Sequence, residues 1–122
     1  MPPNTVRLNE KLASFTDQWS PKIVAEMGGF HFKLAKLEGD FVWHQHDDTD
    51  EAFMVISGEL RIDFRDGQRV LKQGDMLIVP SGVEHKPFAE EECEVMIFVR
   101  AGTVNTGSAE GDERTADPYD TI

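Results

Sequence analysis

Trp43-His44-Gln45-His46-Asp47-Asp48-Thr49-Asp50-Glu51-Ala52-Phe53-Met54-Val55-Ile56-Ser57-Gly58 is the stretch that decides how this 122-residue chain is read. Two of its four histidines sit here at i and i+2, a spacing that on an extended strand sends both imidazoles out of one face. Five positions after His46, Glu51 opens the apolar run Ala52 to Ile56, which closes on a Ser57-Gly58 turn signal. If Glu51 points inward, Phe53 and Val55 do too, and the same alternation places Val42 beside His44 and His46. Farther along, His85 follows the tight Pro80-Ser81-Gly82 turn. A His-X-His pair alone is more often a hydrogen-bonded or surface feature than a ligand set. Three imidazoles and one carboxylate together suit a first-row divalent metal, because neutral nitrogen donors bind borderline ions and the carboxylate offsets part of the charge. An octahedral ion so held keeps two positions open.

Outward from this stretch the chain is punctuated at Gly28-Gly29, Gly39, Gly58, Asp66-Gly67, Gly74 and Gly82. Between these lie short apolar or alternating runs: Ile23 to Met27, Phe30 to Leu37, Phe41 to His46, Glu51 to Ile56, Leu60 to Phe64, Arg69 to Lys72, Met76 to Val79, His85 to Ala89 and Glu94 to Arg100. Leu60, Ile62 and Phe64 alternate with Arg61, Asp63 and Arg65, one face in and one wet, whereas Ala52 to Ile56 is apolar on both faces. Strands covered on both sides imply two layers, so the pattern predicts an all-β sandwich or barrel. Leu8, Leu12 and Phe15 fall at helical spacing and predict a short N-terminal helix that plugs part of the fold. Residues 103–122 carry five acids and one Arg among Gly, Ser and Pro, and read as an acidic, loosely ordered tail. The expected organisation is an N-terminal helix or arm over 1–21, a β-barrel over 22–102 and the tail over 103–122.

The spacings resemble the two motifs of the cupin superfamily. The first, Gly-X5-His-X-His-X(3,4)-Glu-X6-Gly, is met by His44, His46, Glu51 and Gly58, although four residues instead of five separate Gly39 from His44. The second, Gly-X5-Pro-X-Gly-X2-His-X3-Asn, is met by Gly74, Pro80, Gly82 and His85, with Ala89 in place of the closing Asn. Neither departure touches the ligand set. The resemblance implies a small antiparallel jelly-roll barrel, a double-stranded β-helix, in which His44, His46, Glu51 and His85 converge on one divalent ion, manganese, iron, cobalt, nickel or zinc. Copper is disfavoured for want of a soft ligand.

Twenty-three Asp and Glu against 12 Lys and Arg leave a net charge of −11, which repels phosphate backbones and argues against nucleic-acid binding. The longest apolar runs are five residues, too short to span a membrane, and Met1 to Arg7 has no apolar segment of a secretory signal, so a cytoplasmic protein is expected. No serine stands beside a base, so acyl-enzyme chemistry has no support and a metal must lead. The reading is a divalent-metal-dependent isomerase, lyase or dioxygenase on a small polar metabolite, with Glu51 as its proton-transfer residue. The alternative is a non-catalytic small-ligand-binding or sensing module. Single-domain cupins commonly pair through outer sheet faces or N-terminal strands, so the resemblance implies a homodimer through Ile23 to Met27 and Phe30 to Leu37. His31 reads as structural or at the surface. Cys93 reads as inert because Glu91, Glu92 and Glu94 oppose a thiolate. Lys33 and Lys36 lie on opposite faces of one strand, so at most one can enter the interior to hold an anionic substrate.

Overall fold

The computed structural model describes residues 1–122. A short helix, α1 (Leu8–Leu12), precedes seven strands: β1 (Lys22–Met27), β2 (Phe30–Asp40), β3 (Glu51–Ser57), β4 (Glu59–Phe64), β5 (Gly67–Lys72), β6 (Met76–Val79) and β7 (His85–Arg100). All pairings are antiparallel. The 16-residue β7 organises the rest. Its C-terminal half lies between β2 and β3 in the order β1-β2-β7-β3-β6, while its N-terminal half pairs with β4, which carries β5.

The sequence predicts two strands, His85 to Ala89 and Glu94 to Arg100, where one is found. The acidic run between them resembles a loop, yet it is the corner at which the strand passes from one layer to the other. Leu37 faces Cys93 while Gly39 faces Ala89, so two steps on β2 match four on β7 and the excess bends the ladder. Glu90, Glu91 and Glu92 stay in water on the outside of that bend. The result is an antiparallel jelly roll. Its core joins Phe53, Val55, Val95 and Ile97 of one layer to Leu60, Ile62 and Leu71 of the other.

Phe41 to His46, predicted as a strand, is only an extended segment with one bridge, His44 to His85. Asp40 faces Phe88 and His44 faces His85, four steps against three, so the register slips by one residue. That slip corrects the expectation for Val42: Phe41 is buried on the inner side and Val42 is only half-buried.

Two terminal segments complete the fold. Leu12 and Phe15 pack with Leu34 on the outer face of the sheet, together with Val24, Met96 and Ile122. The helix therefore covers a sheet face and leaves the barrel mouth alone. Residues 103–122 are not a loose tail. Ile23 N–H donates to Asp120 O at 2.7 Å, Ile122 N–H donates to Ile23 O at 3.1 Å, and Ser108 N–H donates to Gln45 O at 3.0 Å. Asn105 Nδ2 donates to Trp19 O and Arg114 O at 3.0 and 2.9 Å, and its Oδ1 accepts from Ala116 N–H at 2.9 Å. Buried Lys22 pairs with Asp120 at 2.7 Å and Asp17 at 3.3 Å. Composition predicts loose order because it counts charges. The order comes from partners distant in sequence.

Gly58 closes the β3–β4 turn at φ 86°, and a Cβ there would stand 2.8 Å from Cys93 Cβ and 3.0 Å from Cys93 Cα. Both the left-handed backbone and the contact exclude a side chain. Gly58→Ala is expected to destabilise the protein by about 2 kcal/mol or more, measured by urea unfolding. A change within roughly 0.5 kcal/mol, the range of a neutral surface substitution, would refute this account of the turn.

Candidate metal centre

Three elements deliver four side chains to one place. His44 and His46 come from the irregular segment after β2, Glu51 from the first position of β3 and His85 from the first position of β7. The join is made by backbone: His44 N–H donates to His85 O at 3.0 Å and His85 N–H to His44 O at 2.9 Å. Nearby, Gly82 N–H donates to His46 O at 2.8 Å, which ties the turn before His85 to the His-X-His segment. All four residues are at least 94% buried. One ligand atom from each lies within 4.8 Å of the others, so the cluster could hold a metal ion.

Hydrogen bonds prepare two of the rings. His44 Nδ1–H donates to Val42 O at 2.8 Å and His85 Nδ1–H to Val83 O at 2.9 Å, which puts the proton on Nδ1 and leaves Nε2 as a bare donor atom. His46 Nε2, Glu51 Oε1 and His85 Nε2 are buried without a hydrogen-bond partner. Glu51 Oε1 stands 3.3 Å from His85 Nε2 and 3.5 Å from His46 Nε2. Gly107 leaves room for the His46 ring, since a Cβ there would collide with Gln45 O and stand 3.0 Å from His46 Nδ1.

The protonation states suit a cation. Burial, helped by the neighbouring His85, pushes His44 down to about 4, and burial lowers His46 despite the opposing charge of Glu51. Burial would raise the Glu51 carboxyl, but His85, His46 and His44 outweigh it and hold the group below the ordinary carboxylate range. Neutral imidazoles and an ionised carboxylate are the forms in which these groups ligate a metal. The three orphaned atoms together with this donor set make a divalent ion a chemical fit.

The cluster opens into a cavity of ≈ 40 Å³ lined by Leu37, Phe41, Phe53, Ile97 and Val99, so its walls are mainly apolar, as the sequence predicts. Lys33 also lines it, which settles which lysine enters: Lys33 is buried in the cup, whereas Lys36 Nζ donates to Phe15 O at 2.7 Å outside. Trp19, Thr103 and Asn105 complete the wall. Trp19 stacks on Phe41 at 4.7 Å and holds a left-handed backbone, φ 56°, rare for a bulky residue. None of these three was legible beforehand, because each reaches the cup only after the arm and the C-terminal segment have packed together.

The remaining singled-out residues lie apart from the cup. His31 is structural: it is buried, with Nε2 3.0 Å from Glu26 Oε2. Cys93 is fully buried, and burial followed by Glu92 and Glu94 pushes its thiol up to about 12, which makes it inert. Asp47, Asp48 and Asp50 form an exposed loop whose Asp50 Oδ1 accepts from Ser81 N–H at 2.9 Å.

Comparison with known proteins agrees with this fold. An uncharacterized protein of Bacillus subtilis, YdbB, is 39% identical over 80 residues, and that match spans 65% of this chain and 65% of the relative. A cupin-2 domain containing protein from Shewanella frigidimarina has a crystal structure that superposes with a TM-score of 0.75 at 52% identity, covering 76% of this chain and 91% of its own. A Neisseria meningitidis protein superposes at 0.74 with 34% identity, covering 80% and 99%. The cupin domain family matches residues 30–100, the stretch that holds all four clustered side chains. By fold, motif and match, this chain belongs to the cupin family.

Proposed function

We propose that the chain is a metal-dependent enzyme in which His44, His46, Glu51 and His85 hold one divalent transition-metal ion and a small polar metabolite is transformed beside it. The observation that carries this reading is the trio of buried atoms without partners, His46 Nε2, Glu51 Oε1 and His85 Nε2, within a cluster of ligating groups. Leaving each unsatisfied costs roughly 1–3 kcal/mol, which a bound cation would remove. Manganese, iron, cobalt, nickel and zinc all suit three imidazoles and a carboxylate. When bound, such an ion supplies Lewis acidity and open positions, the chemistry of an isomerase or lyase, or with iron that of a dioxygenase.

The chain's own residues supply the rest. Glu51, ionised and buried, is the proton acceptor of the cup. Phe41, Phe53 and Val99 keep bulk water away and strengthen every charge interaction inside. Trp19, stacked on Phe41, fixes the shape of the wall.

The outer sheet face supports a homodimer. Met27, Met54, Met76 and Ile78 are 61%, 42%, 59% and 56% exposed, and Phe32 packs on Phe98 at 4.5 Å between them. Cross-strand register places these on one face, Met27 beside Phe30, Phe98 beside Ala52 and Met54 beside Met76. A continuous apolar face of this kind is a surface for a partner, here a second copy.

Elemental analysis of protein purified without a metal-affinity tag should find about one divalent ion per chain, and His46→Ala should weaken metal affinity roughly 100-fold or more. Turnover of a sugar, keto acid or phenol should vanish in the same variant, and oxygen uptake separates dioxygenase from isomerase or lyase. If metal-replete protein takes up no oxygen and converts nothing, the enzyme reading falls; ligand binding unchanged by chelation would then identify the sensing module. With His44 at about 4 and His46 also lowered, protons compete for these two rings only in acid. Metal retention should be flat from roughly pH 8 to pH 6 and decline toward pH 4, and loss already near pH 7 would contradict it. Light scattering at micromolar concentration should give a dimer that Ile78→Glu weakens, and a wild-type monomer would remove that expectation.

A further inference from the structure

Lys33 sits mid-strand on β2 in register with Ile97 of β7, which in turn faces Phe53 of β3, so its side chain enters the cup among apolar neighbours. It is 3% exposed, and Nζ donates one hydrogen bond, to Thr103 O at 3.2 Å. No Asp or Glu oxygen lies within 4.0 Å of it. An ammonium carries three donors, so two are left for something else. The other buried lysine shows how this fold satisfies a structural cation: Lys22 has both Asp17 and Asp120 as ion-pair partners. Burial pulls the Lys33 ammonium below its ordinary value, although Glu51 and Asp117 act the other way. A charge so placed is costly unless an anion arrives to meet it.

The cavity brings this ammonium together with His44 and Glu51, walls of Phe53 and Val99, and two polar residues, Thr103 and Asn105. We propose that Lys33 is the anion-binding residue of the cup, and that the substrate class is a small organic carboxylate. Its carboxylate would take the Lys33 ammonium while a neighbouring oxygen reaches the ion held by His44, His46, Glu51 and His85. This inference rests on the metal-centre reading above. One ammonium and no arginine suit a monoanion better than a phosphate dianion, whose charge calls for more donors. The ≈ 40 Å³ cavity with apolar walls suits a compact molecule with a short apolar body. The Thr103 carbonyl, which holds Lys33 in place, makes the C-terminal segment part of the subsite.

The test compares wild type with Lys33→Met and Lys33→Gln, each loaded with Mn(II) and assayed for metal content. Binding of pyruvate and of its neutral counterpart pyruvamide is then titrated by water-proton relaxation. Wild type is expected to prefer pyruvate by about tenfold or more, and both variants to lose that preference while keeping one metal per chain. The thermal midpoint of metal-free Lys33→Met should lie above that of wild type, because a thioether replaces a buried ammonium that has no carboxylate in direct ion-pair contact. Undiminished preference in the variants, or no wild-type binding of either probe, would overturn the inference. So would a lower midpoint for metal-free Lys33→Met, which would assign the lysine to neutralising Glu51. If wild type takes up no metal, the metal-centre reading fails separately. Calorimetric titration of pyruvate into the metal-free protein then decides the subsite: Lys33-dependent binding sustains it and its absence overturns it.

Discussion

The backbone pair between His44 and His85 is the constraint on which the site depends. Its two hydrogen bonds, 3.0 and 2.9 Å, hold together residues forty-one positions apart and set the two rings 4.3 Å from centre to centre. The His-X-His segment lacks the ladder of a regular strand, and that pair, flanked by Phe41 N–H donating to Pro87 O at 3.0 Å and Gly82 N–H to His46 O at 2.8 Å, is what fixes its distance from β7. With it, the one-residue slip between Asp40 and His44 turns Phe41, His44 and His46 inward together. The His44 and His85 imidazoles are then each aimed by a local bond, Nδ1–H to a carbonyl two residues earlier, which leaves the other nitrogen free to face the centre.

β7 makes that arrangement durable. A strand that crosses from one layer to the other ties His85 to Val99 in one element, and Val99 is the cross-strand neighbour of Glu51. The carboxylate and the distant imidazole are therefore two ends of the same ladder system. The corner at Glu90 to Glu92 permits this, since acidic side chains on its convex side remain hydrated while Ala89 and Cys93 flank it in the core. Stability and chemistry pull against each other inside the cup. Three orphaned atoms and a buried ammonium are liabilities in an isolated fold and would be assets to a site that received a cation and an anion.

The arm and the C-terminal segment give the cup its closing wall. Asn105 bridges Trp19 and Arg114 with its amide, and Lys22 gathers Asp17 and Asp120, so the two chain ends are fastened to each other across the edge of the sheet. Trp19 keeps its left-handed backbone because its N–H, its carbonyl and its indole N–H are all satisfied, by Lys36 O, Asn105 Nδ2 and Glu38 O.

What the sequence by itself determined is whatever depends on spacing. His44, His46, Glu51, Gly58, Gly74, Pro80, Gly82 and His85 stand at intervals that only a particular succession of strands and tight turns satisfies, and the inward phase of Phe53 and Val55 follows from two-residue alternation. Tertiary structure alone decided the rest. Alternation broke at the slip after Asp40, which exchanged Val42 for Phe41. Charge composition misjudged residues 103–122, whose order comes from contacts with Ile23, Gln45 and Trp19. Lys33 and Lys36 were distinguishable only once β2 had one face against the core and the other against Phe15. Local periodicity encodes which side of a strand a residue occupies. Which side becomes the cup is set by long-range pairing, and that is a property of the folded chain.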